Sequence, residues 1–447
     1  MNRSRIVQAL IALAILYSIV HFAASGVVFA VQSPNVGQII EELQPLYRLY
    51  TTGAATVDHP RQYGPVFVML FHPVYRLDMV DRTMVGWYAY ALDLLAILVG
   101  FVATFDAIRS WAASKNVRVG ATMVIALGVL WANFSPLYGV LAIKNVEIWE
   151  LALIAVAAAA LLRGNWWAAG WAIGAAALIK MLPLVFLPYL LLRHRRAFAH
   201  ALIAMAVITT ISQGLYGTAL GWGYLPTLVS AAVGGDGYGN AMGLMWHENI
   251  SLRGVIMKAF GYLEPPAPLM LHPDYPRGYY VRFLPEWMAM ARGVSLLAEA
   301  AGAMWVAWML WRRRPAVEPS RTFWDWALVG IMLLVLAPQI SQDYMVLTLV
   351  AFSFVLAGCM LYGSRALWIQ FAVAVLLVGN VVPRGVFSRL MLIDPIIAAT
   401  GYQHLTRAEA YQYFGFPLLG LLVLARAWYR VSALDDRGAV PRARYTL

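Results

Sequence analysis

Residues 166–192 read WWAAGWAIGAAALIKMLPLVFLPYLLL, an apolar run interrupted at its middle by Lys180-Met181-Leu182-Pro183. A lysine is costly in hydrocarbon, and a proline removes a backbone donor and breaks the helical ladder. The run therefore divides into two short spans that meet near one face of a membrane, with an ammonium held at the bend. A cation at the mouth of a membrane cavity suits a phosphate-bearing lipid. The plainer alternative is a lysine whose stem snorkels to the interface.

The rest of the chain agrees with a membrane setting. Of its 447 residues 62% are hydrophobic and 12% charged, and the mean hydropathy is +0.68. Soluble domains carry about twice that charge. Apolar runs long enough for a hydrocarbon core of about 30 Å recur from end to end. Open sheets are excluded in lipid, and the runs lack the alternation of barrel strands. The class is an all-α polytopic membrane protein. Cys359 is the single cysteine, so an intrachain disulfide and a thiolate metal cluster are both excluded. The apolar stretch from Ile6 to about Val31 is too long for a signal peptide and reads as a retained first span.

Spans are expected at roughly 6–31, 84–107, 119–135, 146–162, 165–179, 182–193, 197–217, 287–311, 323–338, 344–362, 366–382 and 413–430, about twelve in all. Gly64 to Tyr75 is apolar but short and carries Pro65 and Pro73, so it reads as a re-entrant or interfacial piece. With this arrangement Arg3 and Arg5, Arg109 to Arg118, Arg163, Arg193 to Arg196, Arg312 to Arg314, Arg365 and the arginines from 426 onward all fall on one side. The positive-inside rule makes that side cytoplasmic. It also accounts for the formal charge of +11 without nucleic acid as a partner. Residues 1–430 form one transmembrane domain, and 431–447 form a basic cytoplasmic tail.

The opposite side holds the longer segments, chiefly 32–83, 218–286 and 383–412, with 136–146 and 339–343 between them. Chemistry concentrated there is separated from nucleotide-activated substrates, so a transferase working on that face needs a lipid-linked donor. Ile39, Leu43, Leu46 and Tyr50 make a helical stripe beside which Glu42 lies and opposite which Glu41 lies, the pattern of an amphipathic helix on the outer leaflet. Asp58-His59-Pro60-Arg61-Gln62-Tyr63 then packs an acid, an imidazole, a guanidinium and a phenol at the lip of the re-entrant piece. A partly desolvated carboxylate here can act as a base toward an acceptor hydroxyl. The alternative is a solvated turn with Asp58 paired to Arg61.

Glu147 and Glu150 lie one turn apart on one helical face. His247 to Arg253 is dense in hydrogen-bonding groups, although Asn249 or Ser251 there also suits a helix N-cap. Lys144, Arg253 and Arg384 are further outer cations able to contact phosphate oxygens. No metal-ligand spacing and no glycine-rich phosphate loop is present.

Four segments resemble glycosyltransferase family 87, whose members are polytopic GT-C enzymes using polyprenyl-phosphate sugars. They are Tyr63-Gly64-Pro65-Val66-Phe67 running into Phe71-His72-Pro73; Pro136 to Glu147; Gly170-x3-Gly174-x5-Lys180-x2-Pro183 before the basic stop; and Asn249-Ile250-Ser251-Leu252 together with Pro338 to Tyr344. The sequence departs from the family's pattern in three places. Glu41 and Glu42, with Asp58 later, stand where an Asp is usual; Asn145 stands where Gln is usual; and Gln342-Asp343-Tyr344 replaces a Trp and His.

The resemblance implies a GT-C-like bundle and inverting transfer of a mannose or related hexose to an acceptor on the outer face, with no cofactor and no metal. Asp58, Glu42 or Glu41 would serve as the base. Lys180, with Arg253 and Arg384, would hold the donor phosphate. Tyr63, His59, Asn145, Glu147, His247, Asn249, Ser251, Asp343 and Tyr344 would line the substrate site. A lipid or solute transporter or flippase, and a non-catalytic subunit of an envelope glycan assembly complex, are the alternative readings. A transporter would need ionisable groups deep in several spans, where Asp93 and Glu299 are the main examples.

Overall fold

The computed structural model describes residues 12–13, 15–26, 63–78, 82–218, 220–226, 244–246, 249–264, 280–283, 285–313, 318–379 and 411–437. Glu41, Glu42, Asp58, His59, His247 and Arg384 lie outside them, as does the stripe from Ile39 to Tyr50.

The helices are α1 (Ile15–Gly26), α2 (Pro65–Asp78), α3 (Arg82–Ala113), α4 (Ala121–Ala132), α5 (Ser135–Ile143), α6 (Glu147–Leu162), α7 (Trp166–Ala177), α8 (Phe186–Arg193), α9 (Arg195–Tyr216), α10 (Leu252–Lys258), α11 (Pro285–Arg312), α12 (Glu318–Leu336), α13 (Leu349–Tyr362), α14 (Arg365–Gly379) and α15 (Phe416–Asp436). Short 3-10 turns at Leu182–Val185 and Gln342–Thr348 lead into α8 and α13. The bundle is helical, but the segment 218–286, expected on the outer side, departs from the all-α expectation. Strands β1 (Leu244–Trp246), β2 (Gly261–Glu264) and β3 (Tyr280–Phe283) pair antiparallel with β3 in the middle, Leu244 and Tyr262 both opposite Arg282.

Among the described residues five helices are long and apolar enough to cross a membrane, and a sixth span arises if α4 and α5, bent by 54°, count as one. The expected twelve spans were counted from continuous hydrophobicity, which a helix break does not interrupt. α6 has 16 residues and α7 has 12, about 24 Å and 18 Å of rise against a core of about 30 Å. The segment 136–146, expected as an outer connection, is mostly the buried helix α5. Large apolar side chains such as Leu98, Leu297 and Trp311 are exposed on the outside of the bundle, the surface lipid would cover.

The hairpin that carries the Lys180 bend follows from its sequence. α6 ends at Arg163-Gly164-Asn165, where Gly164 takes φ +73° and the Asn165 side chain accepts a bond from the Ala168 amide at 3.1 Å, capping α7. Gly170 and Gly174 then face α9. A Cβ on Gly170 would meet the Ala197 carbonyl, and one on Gly174 would lie 2.7 Å from the Ala201 carbonyl. Small residues four apart let the two backbones approach closely.

At the far end of α7 the carbonyls of Leu178 and Ile179 have no helical partner. Tyr63–Val66, the entry into α2, supplies one to each: Gly64 N–H donates to Ile179 O at 2.8 Å and Val66 N–H to Leu178 O at 3.2 Å, with Tyr63 bridged to Lys180. Gly64 is required by that approach, since a Cβ there would collide with the Leu178 carbonyl.

The opposite end of the bundle is held by ions. Asp435, near the end of α15, accepts bonds from Trp324 Nε1 at 2.8 Å, Trp111 Nε1 at 3.4 Å and the Tyr362 hydroxyl, and pairs with Lys115 at 2.9 Å. Arg313 joins Asp436 at 2.9 Å to Asp325 at 3.2 Å, with Arg193 and Arg321 each 3.8 Å from Asp325. Basic residues assigned to one side from the sequence thus meet at one end. The tail expected from 431 starts later, because α15 continues to Asp436 with Val431, Ser432 and Asp435 buried.

Also at this end, between α8 and α9, His194 stacks on Trp166 with its Nε2 3.1 Å from the Tyr189 hydroxyl. Burial, with Arg193 and Arg321 alongside, pushes its pKa from the ordinary 6.5 down to about 4. The folded protein keeps this ring neutral where the unfolded chain protonates it. Its stabilising contribution is therefore present above pH 6.5 and lost as pH falls toward 4.

Two outcomes are expected. Gly64→Ala destabilises by about 1–3 kcal/mol through overpacking against a carbonyl, measured as a lowered melting temperature in detergent. Thermal stability of the wild type declines between pH 6.5 and 4, and His194→Gln flattens part of that slope.

Candidate active site

α5 ends at Lys144, whose backbone turns left-handed (φ +53°), and Asn145 follows it. A non-glycine residue in that region is held by its surroundings. The Asn145 carboxamide oxygen accepts from the Val146 amide at 2.8 Å and from the Tyr63 hydroxyl at 3.3 Å. The turn thus opens α6 with Glu147 and Glu150 in its first turn, where the helix dipole favours carboxylates.

Lys180 comes to the same place from the bend after α7. Its Nζ lies 2.7 Å from Glu147 Oε1, 4.4 Å from the centre of the Tyr344 ring and 5.0 Å from that of Tyr63. Lys180 is 4% exposed and Glu147 fully buried. The snorkelling alternative is thereby excluded: the ammonium points inward, onto a carboxylate and two ring faces. α6 separates this cluster by its length from Arg163, which pairs with Asp106 on α3, so the cluster and the ionic network occupy opposite ends of the bundle.

Further buried acids surround the pair. Among the described residues neither oxygen of Glu150 has a hydrogen-bond partner, nor has Glu147 Oε2. Asp93 on α3 accepts from Trp149 Nε1 at 2.9 Å through one oxygen, and its other oxygen is unmatched. Such groups in a dry interior are costly unless they serve exchange of a proton or a ligand. Asp93 and Glu150, both noted in the sequence but not assigned to the site there, extend it. The three-residue spacing of Glu147 and Glu150 signals the second of these, whereas nothing local to Asp93 reveals that it meets α6. No group of three His, Cys, Asp or Glu among the described residues is placed to hold a metal ion.

The other expected site residues have separate surroundings. Asn249 joins two loops, donating to Pro338 O at 3.1 Å while its oxygen accepts from the amides of Ser251 and Ile340, each at 3.1 Å. Ser251 caps α10 through the Gly254 amide at 3.0 Å and also donates to Pro338 O at 3.3 Å. These two residues fix the chain leading to Tyr344. Arg253 forms a two-point pair with Glu299 on α11 at 2.6 and 2.8 Å. Asp343 is half-buried, with Oδ1 3.1 Å from where a Cβ on Gly139 would lie. The structure therefore brings Tyr63, Asn145, Glu147, Lys180 and Tyr344 together, with Asn249 and Ser251 behind them and Arg253 engaged elsewhere.

The profile of Glycosyltransferase family 87 matches residues 62–338, which include Tyr63, Glu147, Lys180 and Asn249. The chain belongs to glycosyltransferase family 87. No curated protein matches it. Among solved structures, that of ArnT from Cupriavidus metallidurans bound to undecaprenyl phosphate aligns over 94% of this chain and 78% of its own, at 16% identity and a TM-score of 0.41. That distance carries no residue role across. As a family 87 member with several helices long and apolar enough to cross a membrane, the protein is a membrane-embedded glycosyltransferase, and the buried Lys180 cluster, Tyr344 excepted, lies within the matched region.

Asn249→Ala is expected to cost about 1–3 kcal/mol by leaving the Ile340 and Ser251 amides unmatched, seen as a lower melting temperature.

Proposed function

We propose that this protein transfers a mannose or related hexose, with inversion, from a polyprenyl phosphate to a lipid or glycan acceptor on the outer face of the cytoplasmic membrane. Family membership supports the reaction class. The observation that carries the donor assignment is the Lys180 ammonium, fixed in a water-poor interior between Glu147 and two tyrosine rings. In this reading about twelve spans cross the bilayer with both termini in the cytoplasm, α2 is re-entrant, and the Lys180 end faces outward.

The chemistry asks for few groups. An outer carboxylate, Asp58 or Glu42 with Glu41 behind them, takes or orients the proton of the acceptor hydroxyl. The hydroxyl oxygen attacks the anomeric carbon as its bond to phosphate breaks, and charge grows on the leaving phosphate. A cation already in place stabilises that charge without reorganisation, which is commonly the largest single catalytic effect. Lys180 has this role. Arg384 is a second candidate, and Arg253 can contribute only by leaving Glu299. Tyr63 and Tyr344 shape the wall around the ammonium, and Asn145 holds Tyr63.

The test is transfer from radiolabelled polyprenyl-phosphate mannose to a membrane lipid extract by purified protein. Lys180→Ala is expected to lower the rate about 10²–10³-fold with expression and membrane insertion intact, and full activity would remove Lys180 from the site. Asp58→Asn, Glu42→Gln and Glu41→Gln compared in the same assay identify the base as the one whose loss abolishes turnover.

A further inference from the structure

The Lys180 cluster holds more carboxyl groups than its cation can balance. Glu147 Oε1 takes the ammonium at 2.7 Å, whereas Glu147 Oε2 and both Glu150 oxygens are buried without hydrogen-bond partners among the described residues. Lys144, another cation nearby, lies close enough to interact electrostatically with Asp93, which also accepts from Trp149. Tyr63 and Tyr344 present ring faces to Lys180, and Tyr224 lies close enough to Glu150 and Lys180 to interact electrostatically. These three hydroxyl-bearing rings are uncharged at neutral pH. Among the described residues Lys180 is the cation paired with Glu147, so Glu147 and a phosphate require the same ammonium.

We propose that Glu147 and an anionic phosphodiester compete for Lys180, and that replacing one by the other is coupled to uptake of one proton by the Glu147–Glu150 carboxyl pair. This rests on the donor reading above. The exchange balances. Before it, Lys180 is matched by Glu147 while Glu150 is electrically neutral as the acid. After it, Lys180 is matched by the phosphodiester, and Glu147 would be a lone buried anion unless it gained a proton. That proton comes from solvent. Glu150, one turn along the same face, offers the protonated Glu147 a hydrogen-bond partner that it otherwise lacks. Glu147 is thus a positioning residue: it keeps the ammonium aimed inward, and its release sets the pH dependence of donor capture.

The experiment uses the full-length protein in phosphatidylcholine nanodiscs and farnesyl methyl phosphate, a diester whose single charge does not titrate near neutral pH. Calorimetry at pH 7 in two buffers of different ionisation heat counts the protons taken up per ligand bound. The expected count for wild type is about one, with affinity rising about tenfold per unit fall in pH. Glu147→Gln is expected to bind about tenfold tighter, with a proton count of zero and no pH dependence. A wild-type count of zero overturns the proposal, and this measurement stands even if the variant fails to fold. A Glu147→Gln protein that binds no tighter, while Lys180→Ala loses binding, overturns the proposal and leaves the donor reading intact. Binding that survives Lys180→Ala overturns both.

Discussion

An ammonium in a membrane interior is tolerable only beside an anion, and the 2.7 Å pair of Lys180 with Glu147 meets that demand. The arrangement around it follows from the requirement. The bend after α7 brings the lysine in, the left-handed turn at Lys144 aims α6 so that Glu147 meets it, and the rings of Tyr63 and Tyr344 close the remaining sides. The hydrogen bonds of Asn249 and Ser251 hold the approach to Tyr344 from behind. An isolated pair of this kind is weak evidence for stability, because desolvation offsets most of the attraction. Its retention at the end of the bundle remote from the ionic network fits a site that handles charge.

The two ends of the molecule use polar chemistry differently. At one end the Asp435 carboxylate is matched by four neighbours, and the result is a fixed joint among α3, α12, α13 and α15. At the Lys180 end both Glu150 oxygens and Glu147 Oε2 lack a hydrogen-bond partner among the described residues. A saturated network resists change, whereas an unsaturated one has room for a ligand or a proton.

Much of the site was legible in the sequence because its anchors are local signals. The starts of α6 and α7 fell within one residue of expectation, and the Gly170, Gly174, Lys180 and Pro183 pattern marks a close helix contact followed by a break. Which carboxylate answers Lys180 was not legible: Glu147 is 33 residues away, and outer acids such as Asp58 looked equally suitable. Asp93 and Tyr224 were invisible as site residues for the same reason, being joined to it only by helix packing. α5 escaped notice because nine apolar residues are too few to read as a span, and its bend against α4 is a tertiary outcome. The strands around Arg282 pair across long separations that periodicity does not report.

The crossing of Tyr63–Val66 over the carbonyls of Leu178 and Ile179 has a consequence for biogenesis. Its two halves are more than a hundred positions apart, and the Tyr344 wall is as far again along the chain. During synthesis α2 leaves the ribosome long before α7 exists to receive it, and the ammonium emerges before its last aromatic cover. Helices inserted one after another must therefore wait for late docking, so the pocket matures after the scaffold. A nascent chain halted before Tyr344 would carry the charged pair with one wall open.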